Sequence, residues 1–262
     1  MDLGLKGRTA IVMGASQGLG KASAVQLAAE GAHVVLVSRS AEKLEAVKSE
    51  IETAGGSAQV QTCDLFDTSS RAAFVEFLGS MQQLDVLVAN SGGPAPGMAP
   101  GIASDVWTKE FDAMVLGLIQ IIDASVARMK SNGFGRVVVI ASSGIVVPIP
   151  KLAVSNTLRS AVAGYVKTLA EQMAPHGVTC NLVLPGRIET PRTQAIDKGT
   201  AANMGISVEE ARAASAATIP MGRYGTPEEF GAVVTFLSSA PAAYITGSQV
   251  RVDGGAIKSI NA

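Results

Sequence analysis

A doubly wound parallel α/β sheet is the fold class predicted by three features of this 262-residue sequence. Strand-like and helix-like stretches alternate along the whole chain, the strands are solidly apolar, and a glycine-rich turn joins the first strand to the first helix. Val34-Val35-Leu36-Val37 and Val137-Val138-Val139-Ile140 show no polar alternation, as parallel strands covered by helices on both faces require. About seven strands are expected, near residues 8–13, 33–37, 58–63, 84–89, 135–141, 178–184 and 249–252. With 47% apolar and 16% charged residues and no Pro/Ser-rich linker or charge block, the chain is read as a single domain over residues 1–262.

Taken in order, the first strand (Thr9 to Met13) runs into Gly14-Ala15-Ser16-Gln17-Gly18-Leu19-Gly20, and a helical pattern begins at Lys21. In isolation a glycine run marks only a tight connection. Between a strand and a helix it is the Rossmann-type turn that cradles a pyrophosphate, its glycines permitting close backbone approach while the helix N–H groups face the anion. Ligands in such sheets bind beyond the carboxyl ends of the strands, so the residues after each strand carry the reading. After the second come Ser38-Arg39-Ser40. No Asp or Glu is there to bond a ribose 2′-hydroxyl and repel a 2′-phosphate, so NADP(H) is favoured over NAD(H). Asp64 follows the third strand, placed to accept from an adenine amino group, and the small residues Asn90-Ser91-Gly92-Gly93 after the fourth leave room for the cofactor. A later helix opens with Thr226-Pro227-Glu228-Glu229, which combines an N-cap, Pro in the first turn and a capping-box acid.

Several classes are excluded by composition. A formal net charge of −1 and a pI near 6.2 lack the basic footprint of a nucleic-acid binder. No apolar stretch reaches membrane-spanning length without charges or breakers, and residues 1–8 lack a signal-peptide core, so a cytoplasmic location is expected. Cys63 and Cys180 are read as buried apolar thiols, and neither His33 nor His176 as a catalytic base or ligand, so no metal is expected.

Over essentially its full length the sequence resembles the short-chain dehydrogenase/reductase family, nearest the bacterial 3-oxoacyl-acyl-carrier-protein reductase branch. The resemblance rests on the glycine loop, Asp64-Leu65, Ala89-Asn90-Ser91-Gly92, Pro185-Gly186-Arg187-Ile188-Glu189-Thr190, Gly222-Arg223-Tyr224-Gly225-Thr226-Pro227, Ile245-Thr246-Gly247 and Val252-Asp253-Gly254-Gly255. It implies NADP(H), reversible carbonyl/alcohol interconversion by hydride transfer, a homotetramer or dimer, and contacts from Ile188 and Thr190 to the nicotinamide carboxamide. A carbonyl compound or acyl thioester is the expected substrate.

Where that family keeps its chemistry, the sequence departs from the pattern. Family members carry a Tyr with a Lys four residues later on one helix, a preceding Ser, and an Asn on the helix before. Anchoring on Gly164-Tyr165-Val166-Lys167-Thr168-Leu169-Ala170 puts Ser155 at the Tyr position and Arg159 at the Lys position, and Met114 falls at the Asn position. The serine remains as Ser142 or Ser143, and both are candidates. A serine hydroxyl is a far poorer acid than the family Tyr, and a guanidinium stays protonated where the family Lys relays a proton. Tyr165, ten residues beyond Ser155, lies roughly 15 Å away by helical rise, so neither it nor Lys167 replaces the acid.

The longest irregular stretch runs from about Arg192 to Tyr224, with a helical patch from Val208 to Ala217, and suits a substrate lid over residues 190–224. Arg187 and Arg192 beside it suggest an anionic substrate or carrier. Two functions stand: an NADP(H)-dependent oxidoreductase in which Ser142 or Ser143 polarises the carbonyl, Arg159 holds the cofactor ribose and supplies positive charge, and Ser155 or a water delivers the proton, or a catalytically silent NADP(H)-binding sensor or partner subunit.

Overall fold

The computed structural model describes residues 1–260. Seven parallel strands form one sheet in the order β3-β2-β1-β4-β5-β6-β7. They are β1 (Thr9–Met13), β2 (His33–Ser38), β3 (Ser57–Thr62), β4 (Val86–Ala89), β5 (Gly135–Ile140), β6 (Val178–Pro185) and β7 (Gln249–Val252). The order reverses between β1 and β4, which puts the ligand crevice of a doubly wound sheet at their carboxyl ends.

The helices are α1 (Gly18–Ala29), α2 (Ala41–Thr53), α3 (Thr68–Ser80), α4 (Ser104–Phe111), α5 (Gly117–Asn132), α6 (Ala153–Met173), α7 (Pro191–Met204), α8 (Val208–Ala217) and α9 (Pro227–Leu237). Each face of the sheet has its own core. On one, Ile11, Val35, Leu87, Val137 and Leu182 pack with Leu118 and Ile122 of α5 and Leu158, Val162 and Val166 of α6. On the other, Val12, Leu36, Val88, Ile140 and Val183 pack with Leu27, Leu44, Ile51, Phe230 and Val234. Alternate residues of one strand thus bury on opposite faces, which is why the runs 10–13, 34–37, 86–89 and 137–140 are apolar without a break.

Three readings are corrected. The edge strand β3, Ser-Ala-Gln-Val-Gln-Thr, is only partly buried and not solidly apolar, because a single neighbour, β2, flanks it. Cys63 lies one residue beyond β3, although it is buried. The stretch after Thr190 is not irregular: α7 and α8 occupy most of it. Thr190 caps α7 by accepting from Thr193 N, and Pro191 fills its first turn, a helix start that composition alone conceals. The capping box at Thr226 and Glu229 forms as the sequence predicts.

Candidate active site

The glycine turn is built by close approach. Gly14 has φ +66°, and a Cβ there would lie 2.5 Å from Asn90 Nδ2; a Cβ on Gly20 would lie 2.3 Å from the Gly14 carbonyl oxygen. Gly14 therefore joins the end of β1 to the end of β4, and Gly20 lets α1 pack onto the turn it leaves. Gln17, the N-cap of α1, makes no side-chain capping bond. The first N–H groups of α1 are left for an anion, the arrangement that a dinucleotide pyrophosphate fits. Ser16 and Leu19 are half-buried in this turn, and Gly18 approaches the Thr190 side chain, its Cβ direction meeting Thr190 Cγ2 at 3.4 Å.

Beyond β2, the Ser38 hydroxyl is buried without a hydrogen-bond partner. Arg39 next to it is exposed, and Ser40 caps α2 by accepting from Lys43 N at 3.4 Å. An orphaned hydroxyl beside an unengaged guanidinium fits a polar, anionic group at the ribose position. Asp64 Oδ1 accepts from Phe66 N at 3.0 Å, and the Leu65 carbonyl accepts from Arg71 Nη1 at 2.6 Å. Arg71, itself buried, also pairs with Asp112 at 2.7 Å. That pair pins a π-helical turn, Asp112–Leu116, between α4 and α5. Met114 sits in this turn, 2% exposed and packed into the core. Such π-turns often mark functional sites, yet the side chain at the family's Asn position is a core residue with no polar atom but its sulfur.

On α6, Ser155 and Arg159 are one turn apart. Ser155 is buried, and its Oγ accepts from Arg159 Nε at 3.3 Å. The same guanidinium donates to the carbonyls of Ile140 (3.2 Å), Ser91 (3.3 Å) and Gly92 (3.0 Å). It thus ties α6 to the carboxyl ends of β4 and β5 without touching a carboxylate. Burial, with the nearby Arg192 charge added, lowers its pKa to about 10, which leaves it protonated at neutral pH.

The segment after β5 turns through a short 3-10 helix, Ser143–Ile145, with Ser142 Oγ accepting from Gly144 N at 3.0 Å. Asn156, which sequence reasoning missed, clamps this turn: its Nδ2 donates to the Ile149 carbonyl at 3.0 Å, and its Oδ1 accepts from Ile149 N at 3.4 Å. A Cβ on Gly144 would meet both Asn156 Oδ1 (2.3 Å) and Ser142 Oγ (3.2 Å). The Ser142 hydroxyl and the Asn156 amide therefore both border Gly144. The only signal in the sequence was an Asn directly after Ser155.

Tyr165 and Lys167 are engaged elsewhere. The Tyr165 hydroxyl donates to Asp123 of α5, and Lys167 Nζ to the Gly247 carbonyl at 3.0 Å. Lys151 is exposed, with φ +62°, and its carbonyl accepts from Gly97 N at 2.7 Å. At the end of β6, Pro185 and then Gly186 lead to Ile188, which is buried and bridges Gly225; a Cβ on Gly186 would lie 2.6 Å from Asp253 Cα. Tyr224 is buried, its hydroxyl donating to Asp197 of α7 at 3.0 Å. Arg187 lies 3.7 Å from that carboxylate, so its charge is answered within the protein.

These features define a dinucleotide-binding α/β protein with a hydroxyl–guanidinium site at the crevice. The chain belongs to the short-chain dehydrogenase/reductase family: a family model described as Enoyl-(Acyl carrier protein) reductase matches residues 14–256. It is 35% identical over 256 residues to the NADPH-dependent reductase BacG of Bacillus subtilis (strain 168), covering 97% of this chain and 99% of that protein. It is 31% identical over 258 residues to the 3-oxoacyl-[acyl-carrier-protein] reductase FabG of Aquifex aeolicus (strain VF5), covering 97% and 99%. Among solved structures, L-sorbose reductase from Gluconobacter frateurii, complexed with NADPH and L-sorbose, superposes with a TM-score of 0.93 at 29% identity, covering 99% of this chain and 100% of the other. Among the described residues no helix is long and apolar enough to cross a membrane, and no group of three or more His, Cys, Asp or Glu is placed to hold a metal.

Proposed function

We propose that the protein is an NADP(H)-dependent oxidoreductase interconverting a carbonyl and an alcohol, working with Ser155 and Arg159 in place of a Tyr/Lys pair. When bound, the nicotinamide cofactor supplies or accepts the hydride. Gly14 to Gly20 and the first turn of α1 would hold its pyrophosphate, Ser38 and Arg39 the phosphorylated ribose, and Asp64 and Leu65 the adenine. Asn90 to Gly92, Pro185, Gly186, Ile188 and Thr190 would border the nicotinamide end. NADPH-dependent relatives and the missing acid after β2 support the choice of cofactor.

The observation that carries the reading is the Arg159 Nε–H bond to Ser155 Oγ. A hydroxyl that accepts from a cation has its own hydrogen free and made more acidic, so Ser155 is set to donate to a carbonyl oxygen as negative charge grows there. Ser142 is assigned as the second donor, since its oxygen likewise accepts from an N–H and its own hydrogen is free to donate. Arg159, fixed by three carbonyls, supplies positive charge without losing a proton. With no acid equal to tyrosine in reach, the final proton comes from water through Ser155. We assign α7 and α8 as the lid of this site and expect a homodimer or homotetramer, with small ketones and acyl thioesters as the substrates to test first.

Mixing NADPH-loaded protein with a panel of ketones, quinones, oxo acids and 3-oxoacyl thioesters in a stopped-flow instrument tests the proposal. Oxidation of the cofactor in a single turnover is expected for at least one class. Tight NADPH binding with no oxidation by any of them favours the silent sensor, the reading that Met114 and Ser155 would suit.

A further inference from the structure

Two guanidinium groups converge on one short backbone segment at the crevice. Arg159 donates to the carbonyls of Ser91 and Gly92. Arg192, in the first turn of α7, lies against the next residue: a Cβ on Gly93 would sit 2.6 Å from Arg192 Nη2, 2.7 Å from its Cζ and 2.8 Å from its Nη1. The absence of a side chain at Gly93 is what admits that guanidinium. We propose that Arg159 and Arg192 form a carboxylate clamp at the reacting end of the crevice, so that the substrate is a carbonyl compound bearing a free carboxylate close to its carbonyl.

The charges around the pair argue for an absent anion. Among the described residues, Arg192 has no hydrogen bond and no ion pair, and it is exposed. Three other arginines of this region are answered: Arg187 by Asp197, Arg212 by Glu189 and Arg223 by Glu229. Holding two like charges together with one of them half-buried is unfavourable unless something negative joins them. The division of labour also fits. Arg159 spends donors on four acceptors and contributes mainly charge, whereas the planar fork of Arg192 is open for bidentate bonding.

The position separates this anion from others. The cofactor pyrophosphate belongs at the glycine turn and the α1 N-terminus, where Gly14 approaches Asn90, whereas Arg159 donates to the two residues after Asn90 and Arg192 lies against the third. An acyl thioester is uncharged beside its carbonyl and carries its phosphate at the end of a long arm. An oxo acid brings negative charge to within a few bonds of the reacting carbon, next to Ser155.

The inference rests on the reductase reading for its orientation, but its test does not depend on turnover. Small aryl and alkyl carboxylates and their amides are titrated calorimetrically into the NADPH complex of the wild type, Arg192→Ala and Arg192→Lys. The wild type should bind carboxylates about tenfold or more tightly than the matching amides. Arg192→Ala should abolish that preference while holding NADPH affinity within about twofold, and Arg192→Lys should retain part of it, as a point charge does. In steady state, oxo acids should exceed their methyl esters in kcat/KM by a similar factor. Equal binding of acids and amides by the wild type overturns the clamp, as does a loss of NADPH affinity in Arg192→Ala equal to the loss for carboxylates. Carboxylate binding that depends on Arg192 with no carbonyl ever reduced leaves the clamp standing and removes the reductase reading. Turnover of esters and thioesters indifferent to Arg192 does the reverse.

Discussion

Arg159 Nε donates to Ser155 Oγ at 3.3 Å across one turn of α6, so two of the three departures from the family pattern are a bonded unit. Removing the hydroxyl by Ser155→Ala should lower kcat by about a hundredfold, the usual effect of losing one donor to a developing oxyanion, with NADPH affinity unchanged. The double replacement Ser155→Tyr with Arg159→Lys restores a phenol and an ammonium and should raise the rate of NADPH oxidation. A double variant that folds, binds NADPH and gains nothing would count against the placement of the reacting atoms beside Ser155.

Choice of cofactor is tested at the end of β2. Arg39 is exposed there beside the orphaned Ser38 hydroxyl, and a charge-assisted bond to a 2′-phosphate is worth about 1.5–3 kcal/mol, roughly 10- to 100-fold in affinity. Arg39→Glu should weaken NADPH by at least that factor and leave NADH equal or tighter. Fluorescence titration with both cofactors reads the outcome; parallel losses for the two would remove Arg39 from the phosphate site.

Much of this was legible before the structure because it is local. The apolar runs of β1, β2, β4 and β5, the glycine turn and the Thr226–Glu229 capping box are set by contacts within a few residues or by burial on both faces. The features that escaped are those whose cause lies far along the chain or in no periodic pattern. α7 is polar, with no continuous apolar stripe to betray it, so its sequence alone reads as irregular. The π-turn at Met114 depends on Arg71, forty-one residues away from its partner Asp112. Arg192 was legible as a charge near the lid, but its seat on Gly93 follows from how α7 crosses the end of β4. Arg187 showed the opposite: a sequence neighbour of the site whose charge Asp197 already answers.

The segment after the lid makes a prediction about pH. Glu229 accepts from both Arg223 nitrogens (2.6 and 2.9 Å) and from Thr226 N (2.8 Å), and these bonds lower its pKa from 4.5 to about 2. A carboxylate whose folded pKa is depressed stabilises above its unfolded value, and that stabilisation is lost as pH falls toward the folded one. Glu229→Gln should therefore reduce Tm at pH 7, and the gap to wild type should narrow as pH drops from about 4.5 toward 2. A gap that stays constant from pH 7 to pH 3 would show that shape, not charge, is what Glu229 contributes.

Tyr224 links the helix opened by that capping box to the lid. Its hydroxyl donates to Asp197 at 3.0 Å in a buried contact, and Arg187, at 3.7 Å, is that carboxylate's other partner. Tyr224→Phe leaves a buried carboxylate short of one donor, at a cost of about 1–3 kcal/mol, or a fall in Tm of a few degrees for a chain of this size. If α7 and α8 close over substrate, loosening α7 should raise KM severalfold and leave NADPH affinity nearly unchanged, since Asp197 lies about two turns beyond Thr190 on α7. Calorimetry and steady-state kinetics on the same preparation separate the two effects. A drop in Tm with KM unaltered would leave Tyr224 a purely structural brace and take α7 out of the lid.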